Sequence, residues 1–144
     1  MRLVKEFEVQ RARADAVAAV ATDAALVGLF PGPETEIVAT RGARRTARSR
    51  YRALGREGEA TFHFTFQPDG GVTFEKVCDG RVWRQLDGSL SFEACGKGAT
   101  LVRIEMEGKT KALVPEFTIK GPMQDQIEQM ADALRRCIEG ASAR

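Results

Sequence analysis

Between Arg44 and Lys111 apolar and polar residues alternate with a period of two, and glycine-bearing segments interrupt the alternation at Gly55-Arg56-Glu57-Gly58, Pro68-Asp69-Gly70, Asp79-Gly80, Asp87-Gly88 and Gly96-Lys97-Gly98. A strand sends successive side chains to opposite faces, so this pattern predicts a run of antiparallel hairpins with one apolar face. Each turn sets a constant index sum for facing residues, and the parity of that sum decides which side chains share a face. The first turn sets Leu54 opposite Glu59, hence Tyr51 opposite Phe62, Ser49 opposite Phe64 and Ala47 opposite Phe66. The second sets Phe64 opposite Phe74. Asp79-Gly80, a favoured two-residue turn, sets Lys76 opposite Trp83 and Phe74 opposite Gln85. Asp87-Gly88 sets Trp83 opposite Phe92 and Gln85 opposite Leu90. The last turn sets Phe92 opposite Val102 and Leu90 opposite Ile104.

All five turns gather Tyr51, Phe62, Phe64, Phe66, Phe74, Trp83 and Phe92 on one face. They send Arg48, Arg50, Arg52, Thr61, His63, Thr65, Glu75, Arg84, Glu93, Arg103 and Glu105 to the other. Agreement between independent turns is the main argument for a sheet with one aromatic face. The same parity turns Val77, Val82, Leu86 and Leu101 outward, and this exposed apolar patch motivates the expectation of a homodimer.

The flanks complete the pattern. Leu3 to Val9 reads as a strand with Leu3, Phe7 and Val9 on one face. Ala14 to Ala21 is alanine-rich and helical. Asp23 can cap a second short helix that runs to Phe30 and stops at Pro31-Gly32-Pro33. Ile37 to Ala39 extends briefly. After Pro115 the period changes: Met123, Ile127, Met130 and Leu134 recur at four, three and four, continued by Cys137 and Ile138. This predicts an amphipathic helix from about Gln124 to Glu139, with Asp125, Glu128, Asp132, Arg135 and Arg136 on its polar side. The expected fold is α+β: a seven-stranded antiparallel sheet around a long C-terminal helix, with two short helices between the first and second strands. At 144 residues the chain is one domain, spanning 1–144, large enough to bury a core.

The element order, together with Thr22-Asp23-Ala24-Ala25-Leu26-Val27-Gly28-Leu29-Phe30-Pro31-Gly32, resembles the START-like superfamily of polyketide cyclases/dehydrases and lipid-transport proteins. The Pro-Gly ending of that stretch is similar to the carbon-monoxide-dehydrogenase branch of the superfamily. The resemblance implies a helix-grip fold with a cavity between the sheet and the last helix, and a small hydrophobic ligand such as a lipid, isoprenoid or polyketide.

An apolar pocket needs a few convergent polar groups among its lining. The expected ligand-binding set is Tyr51, Phe62, Phe64, Phe74, Lys76, Trp83, Gln85, Phe92, Met106, Met123, Ile127 and Met130, with Ser49 as a further polar candidate. Lys76 is expected at the cavity mouth, its stem along Trp83. Plain core packing explains the aromatic face equally well, residue by residue. No catalytic triad is expected, because the single histidine, His63, lies on the charged face away from any Ser or Cys of the cavity. The same isolation argues against a metal site, and no cofactor is expected. A cyclase or dehydratase using Lys76, Tyr51 or Gln85 to polarise a carbonyl is the alternative.

Arg41, Arg44, Arg45, Arg48, Arg50, Arg52 and Arg56 occur with no acid between Glu36 and Glu57. They read as a solvated face diluted by acids of neighbouring strands, so strong nucleic-acid binding is not expected. An interaction module built on this strand is the third reading. The net charge of +2 argues against a general nucleic-acid or membrane binder. No stretch is apolar enough for a transmembrane segment. Cys78, Cys95 and Cys137 are odd in number and far apart, which suggests a reducing, cytoplasmic setting.

Overall fold

The computed structural model describes the backbone of residues 1–29, 34–53, 56–78 and 83–140, and their side chains except at 51–53, 56 and 57. The elements are β1 (Arg2–Val9), α1 (Arg13–Val20), α2 (Asp23–Gly28), β2 (Glu34–Arg41), β3 (Arg44–Ala53), β4 (Arg56–Phe66), β5 (Val72–Lys76), β6 (Trp83–Ala94), β7 (Thr100–Thr110) and α3 (Glu116–Gly140). The strands form one antiparallel sheet in the order β1-β7-β6-β5-β4-β3-β2. β1 therefore sits at one edge and β2 at the other, about 29 Å apart at the usual interstrand spacing. Helices α1 and α2 carry the chain across that width. α3 lies against β1 and β7 and against both short helices.

The core fills the space between α3 and one sheet face. Met123, Ile127, Met130, Ala131, Leu134 and Ile138 of α3 are buried over Leu3, Phe7, Phe64, Leu90, Val102 and Ile104. One end is closed by polar ties. Arg13 donates from Nε to the Phe92 carbonyl at 3.0 Å and from Nη2 to the Asp69 carbonyl. Thr100 Oγ1 donates to the Arg11 carbonyl at 2.8 Å, and Glu139 accepts from the Gln10 amide at 2.9 Å. Gly70, at φ 94°, lies so close to α1 that an added Cβ would stand 2.9 Å from Val17 Cγ1.

Two hairpins follow the expected register: Phe64 faces Phe74, and Phe92 and Leu90 face Val102 and Ile104. The β3–β4 register differs. Ala53 pairs with Arg56, Tyr51 with Gly58 and Ala47 with Phe62, so the index sum is four lower than expected and its parity is unchanged. Leu54 and Gly55 lie outside the described residues, as do Phe30 to Pro33 and the Asp79-Gly80 turn.

Asp87-Gly88 is not a turn. β6 runs straight through it for 12 residues and is paired along β7, so Phe74 faces Gly88 rather than Gln85, and Lys76 faces Phe62 rather than Trp83. Pairing to neighbours on both sides outweighs the turn preference of the Asp-Gly dipeptide. The strand count is nevertheless seven, because β2, read from sequence only as a brief extension, is a full strand. Along β6 Leu86 faces inward and is buried, while Gln85 is exposed, the reverse of the expected parity. Trp83 still reaches the inner face because the ladder slips by one residue at Arg84, between Trp83/Thr110 and Gln85/Lys109. The outward apolar patch thus loses Leu86, and Val82 lies outside the described residues. Val77 alone is strongly exposed there, which removes the motive for a dimer at that place.

α3 begins two turns earlier than expected and passes through Pro122. Proline lacks the amide that would serve the Thr118 carbonyl. Thr118 is exposed, so water can satisfy that carbonyl. Thr22, not Asp23, caps α2, accepting from the Ala25 amide at 3.1 Å.

Candidate functional site

The inner face resolves into cross-strand rows. One runs Ala47, Phe62, Lys76, and the next runs Phe64, Phe74, Gly88, Met106, Leu3. Beyond them Leu86 faces Gly108 and Trp83 faces Thr110. Phe62 and Phe64 have ring centroids 6.4 Å apart, and Phe64 and Phe74 5.8 Å, both tilted as aromatic contacts prefer.

Two glycines make this floor. A Cβ on Gly88 would stand 2.4 Å from Phe74 Cζ, and one on Gly108 would stand 2.4 Å from Trp83 Cζ3. Each ring therefore settles onto backbone where any larger residue would hold it away. Sequence reasoning missed both roles. The signal was present: Leu86, Gly88, Leu90 and Phe92 keep one parity without interruption.

The structure brings together Phe62, Phe64, Phe74, Lys76, Trp83, Phe92, Met106, Met123, Ile127 and Met130 on the inner face or on the helix surface above it. Gln85 is not among them: it is exposed and donates to Asp87 at 2.6 Å. The Tyr51 side chain lies outside the described residues. Thr35 and Ser49, facing residues at the β2–β3 edge, share a hydroxyl hydrogen bond of 2.8 Å.

Exposure grades along the face. Phe64, Ile104, Ile127, Leu134 and Ile138 are sealed, whereas Phe62, Trp83 and Met123, at the end opposite the polar ties, each retain 7–9%. Lys76 stands at that end, half-buried, with no hydrogen bond or ion pair among the described residues. A cation placed there keeps its charge in water while its stem covers apolar surface. The other inner-face lysine, Lys5, has left the cavity row to meet Glu128 of α3 at 3.2 Å.

The outer face is electrostatically compensated. Arg44 meets Glu75 at 3.7 Å, Arg45 meets Asp23 at 3.0 Å, and Arg50 meets Glu34 and Glu59, each at 3.4 Å. A pocket of about 340 Å³ at this edge is lined by Glu34, Thr35, Glu36, Arg48 and Arg50, a lining unsuited to an apolar ligand. His63 Nδ1 is 2.9 Å from Thr46 Oγ1, and no cluster of metal-ligating side chains occurs among the described residues. Burial pushes the Cys137 thiol up. Cys95 is also raised, by desolvation and then by Glu8 and Glu93.

Neither a protein-family model nor a curated protein matches this sequence. Solved structures do match. TTHA0849 from Thermus thermophilus superposes with a TM-score of 0.79 at 16% identity, over 99% of this chain and 99% of that one. The Zhui aromatase/cyclase from Streptomyces sp. R1128 gives 0.77 at 12% identity, over 100% of this chain and 94% of that one. A START superfamily protein from Mycobacterium smegmatis gives 0.73 at 18% identity, over 97% and 98%. At such identities it is the fold that is shared. The chain thus has the helix-grip fold of the START-like superfamily, a seven-stranded antiparallel sheet against a long C-terminal helix.

Proposed function

We propose that this protein binds or carries a small hydrophobic molecule between the sheet and α3, with Lys76 orienting the ligand's polar head. The observation that carries the reading is the row Ala47, Phe62, Lys76: an aromatic floor that ends in a half-buried ammonium with no partner among the described residues. A group so placed favours a carboxylate or carbonyl on an otherwise apolar ligand. Phe62, Phe64, Phe74, Phe92 and Met106 supply the floor, and Met123, Ile127 and Met130 the roof. The methionines suit a lining that adapts to several shapes. The fold shared with an aromatase/cyclase and a START superfamily protein supports the same reading.

The test is a titration of the single tryptophan, Trp83, with fatty acids, isoprenoids and flat polyphenols, repeated on Lys76→Met. An acidic ligand should perturb the emission and bind more weakly to the variant. Absence of any response to every class, or equal binding of the acid by Lys76→Met, would refute the role of Lys76. Native mass spectrometry of freshly purified protein would identify a retained ligand.

A second reading is a cyclase or dehydratase in which Lys76 donates to a substrate carbonyl. The shared fold with the aromatase/cyclase favours it. Turnover of a polyketide-like substrate that is lost in Lys76→Met would separate it from carriage. The ion-paired arginines of β3 favour neither a nucleic-acid surface nor a charged interaction module. We place the protein in the cytoplasm, since Cys78, Cys95 and Cys137 are all free thiols.

A further inference from the structure

At the open end of the sheet the chain leaves β7 and enters α3 through a segment that the core does not use. Leu113 is 91% exposed and Phe117 80%, whereas the next most exposed large apolar residue described, Val77, is 51%. The two are held out by structure. Val114 donates its amide to the Lys111 carbonyl at 2.8 Å, and Thr110 Oγ1 donates to the Val114 carbonyl at 2.8 Å. Thr118 Oγ1 and the Thr118 amide both bond the Pro115 carbonyl, at 2.6 and 3.1 Å. Val114 and Ile119 turn partly inward, so Leu113 and Phe117 form the tip of a built projection.

Its charge has one sign in the main. Lys109, Lys111 and Lys120 are exposed around the two apolar side chains, and Glu116 is the only acid from 109 to 120. The projection also neighbours the candidate mouth, because Thr110 is the ladder partner of Trp83.

We propose that this β7–α3 projection docks on the surface of an anionic lipid bilayer. Leu113 and Phe117 enter the acyl boundary while the three lysines meet headgroup phosphates. A bilayer needs only a few apolar anchors and nearby cations. A protein partner of ordinary affinity needs a contiguous patch of about 800 Å² on each side. Two apolar side chains ringed by lysines fit the first requirement. The docking is peripheral, in keeping with the lack of any helix among the described residues long and apolar enough to cross a membrane. It also sets the Trp83 end of the sheet beside the membrane, and it stands whether or not the interior holds a ligand.

The test uses the full chain and flotation with vesicles, of phosphatidylcholine alone or mixed with phosphatidylglycerol. The protein should float with the mixed vesicles, less so in high salt. Leu113→Ser with Phe117→Ser should abolish flotation without changing thermal unfolding, since neither side chain is buried. Each of Lys109→Gln, Lys111→Gln and Lys120→Gln should weaken binding about fivefold. Phe117→Trp in a Trp83→Phe background should shift its emission to the blue on vesicles. No flotation of the parent protein, or flotation indifferent to the Leu113/Phe117 substitutions, overturns the proposal. So does a parent that self-associates in solution through these residues and leaves the vesicles alone, which would make the projection a protein contact.

Discussion

Replacing Gly88 by alanine should destabilise the protein, although strand preference alone argues the opposite. Glycine in a strand interior costs roughly 0.5–1 kcal/mol relative to alanine. Against that gain stands the space at Gly88. The new methyl would lie 2.4 and 2.8 Å from Phe74 Cζ and Cε2, and 2.5 Å from the Glu105 carbonyl oxygen. Comfortable carbon–carbon contact is about 3.5–4.0 Å, so the deficit exceeds an ångström. Phe74 is buried and packed 5.8 Å from Phe64, and Glu105 is held in β7. Neither can yield cheaply. Overpacking of this kind costs about 1–3 kcal/mol, leaving a net loss of about 1–2 kcal/mol after the strand gain. The melting temperature should fall by about 2–8 °C for a domain of this size. Urea unfolding followed by circular dichroism would show a lower midpoint at unchanged slope. Adding Phe74→Leu removes Cζ, so the double variant should be more stable than the sum of the single losses by at least about 0.5 kcal/mol. Gly28→Ala is the control: nothing lies within 4 Å of its added methyl, and a helical Gly→Ala change should stabilise by up to about 1 kcal/mol. A neutral Gly88→Ala, or strict additivity with Phe74→Leu, would refute the contact and with it the course of β6.

Gly108→Ala should tilt the Trp83 ring, since the three atoms nearest the new methyl all belong to it; emission should shift to the red and acrylamide quenching rise, and unchanged emission would exclude the contact. Thr22→Ala removes the acceptor for the Ala25 amide and should cost about 1 kcal/mol in urea unfolding; no change would mean that α2 needs no cap. Cys95 is exposed, yet desolvation, Glu8 and Glu93 raise its pKa, so at neutral pH less thiolate is present than in free cysteine. Its alkylation, followed by peptide mass spectrometry, should be slower than that of a reference thiol and should quicken in Glu93→Gln; equal rates in both proteins would contradict this.

What could be read from the chain follows from local geometry. Side-chain direction repeats every two residues in a strand and every 3.6 in a helix, so the aromatic face, the apolar line from Met123 to Ile138 and the placement of Lys76 on the inner face need no knowledge of partners. The order of elements and the glycine turns at Gly70 and Gly96 are of the same local kind, and both glycines indeed take positive φ.

Register, bulges and the ends of elements were not local. The β3–β4 sum differs from the sequence reading by four because the polar stretch Arg56 to Gly58 serves as strand once β3 lies beside it. Asp87-Gly88 has a turn's composition, but unbroken pairing to β7 and the Phe74 ring over Gly88 make it strand. That one error inverted Gln85 and Leu86, while the slip at Arg84 kept Trp83 inside. The same limit hid the Leu113 and Phe117 projection, because exposure is a property of what fails to pack nearby. The sequence by itself determined which residues want a common face. Only the tertiary structure decided which of them meet, since hydrogen-bonded ladders and close packing are satisfied between segments that are distant in the chain.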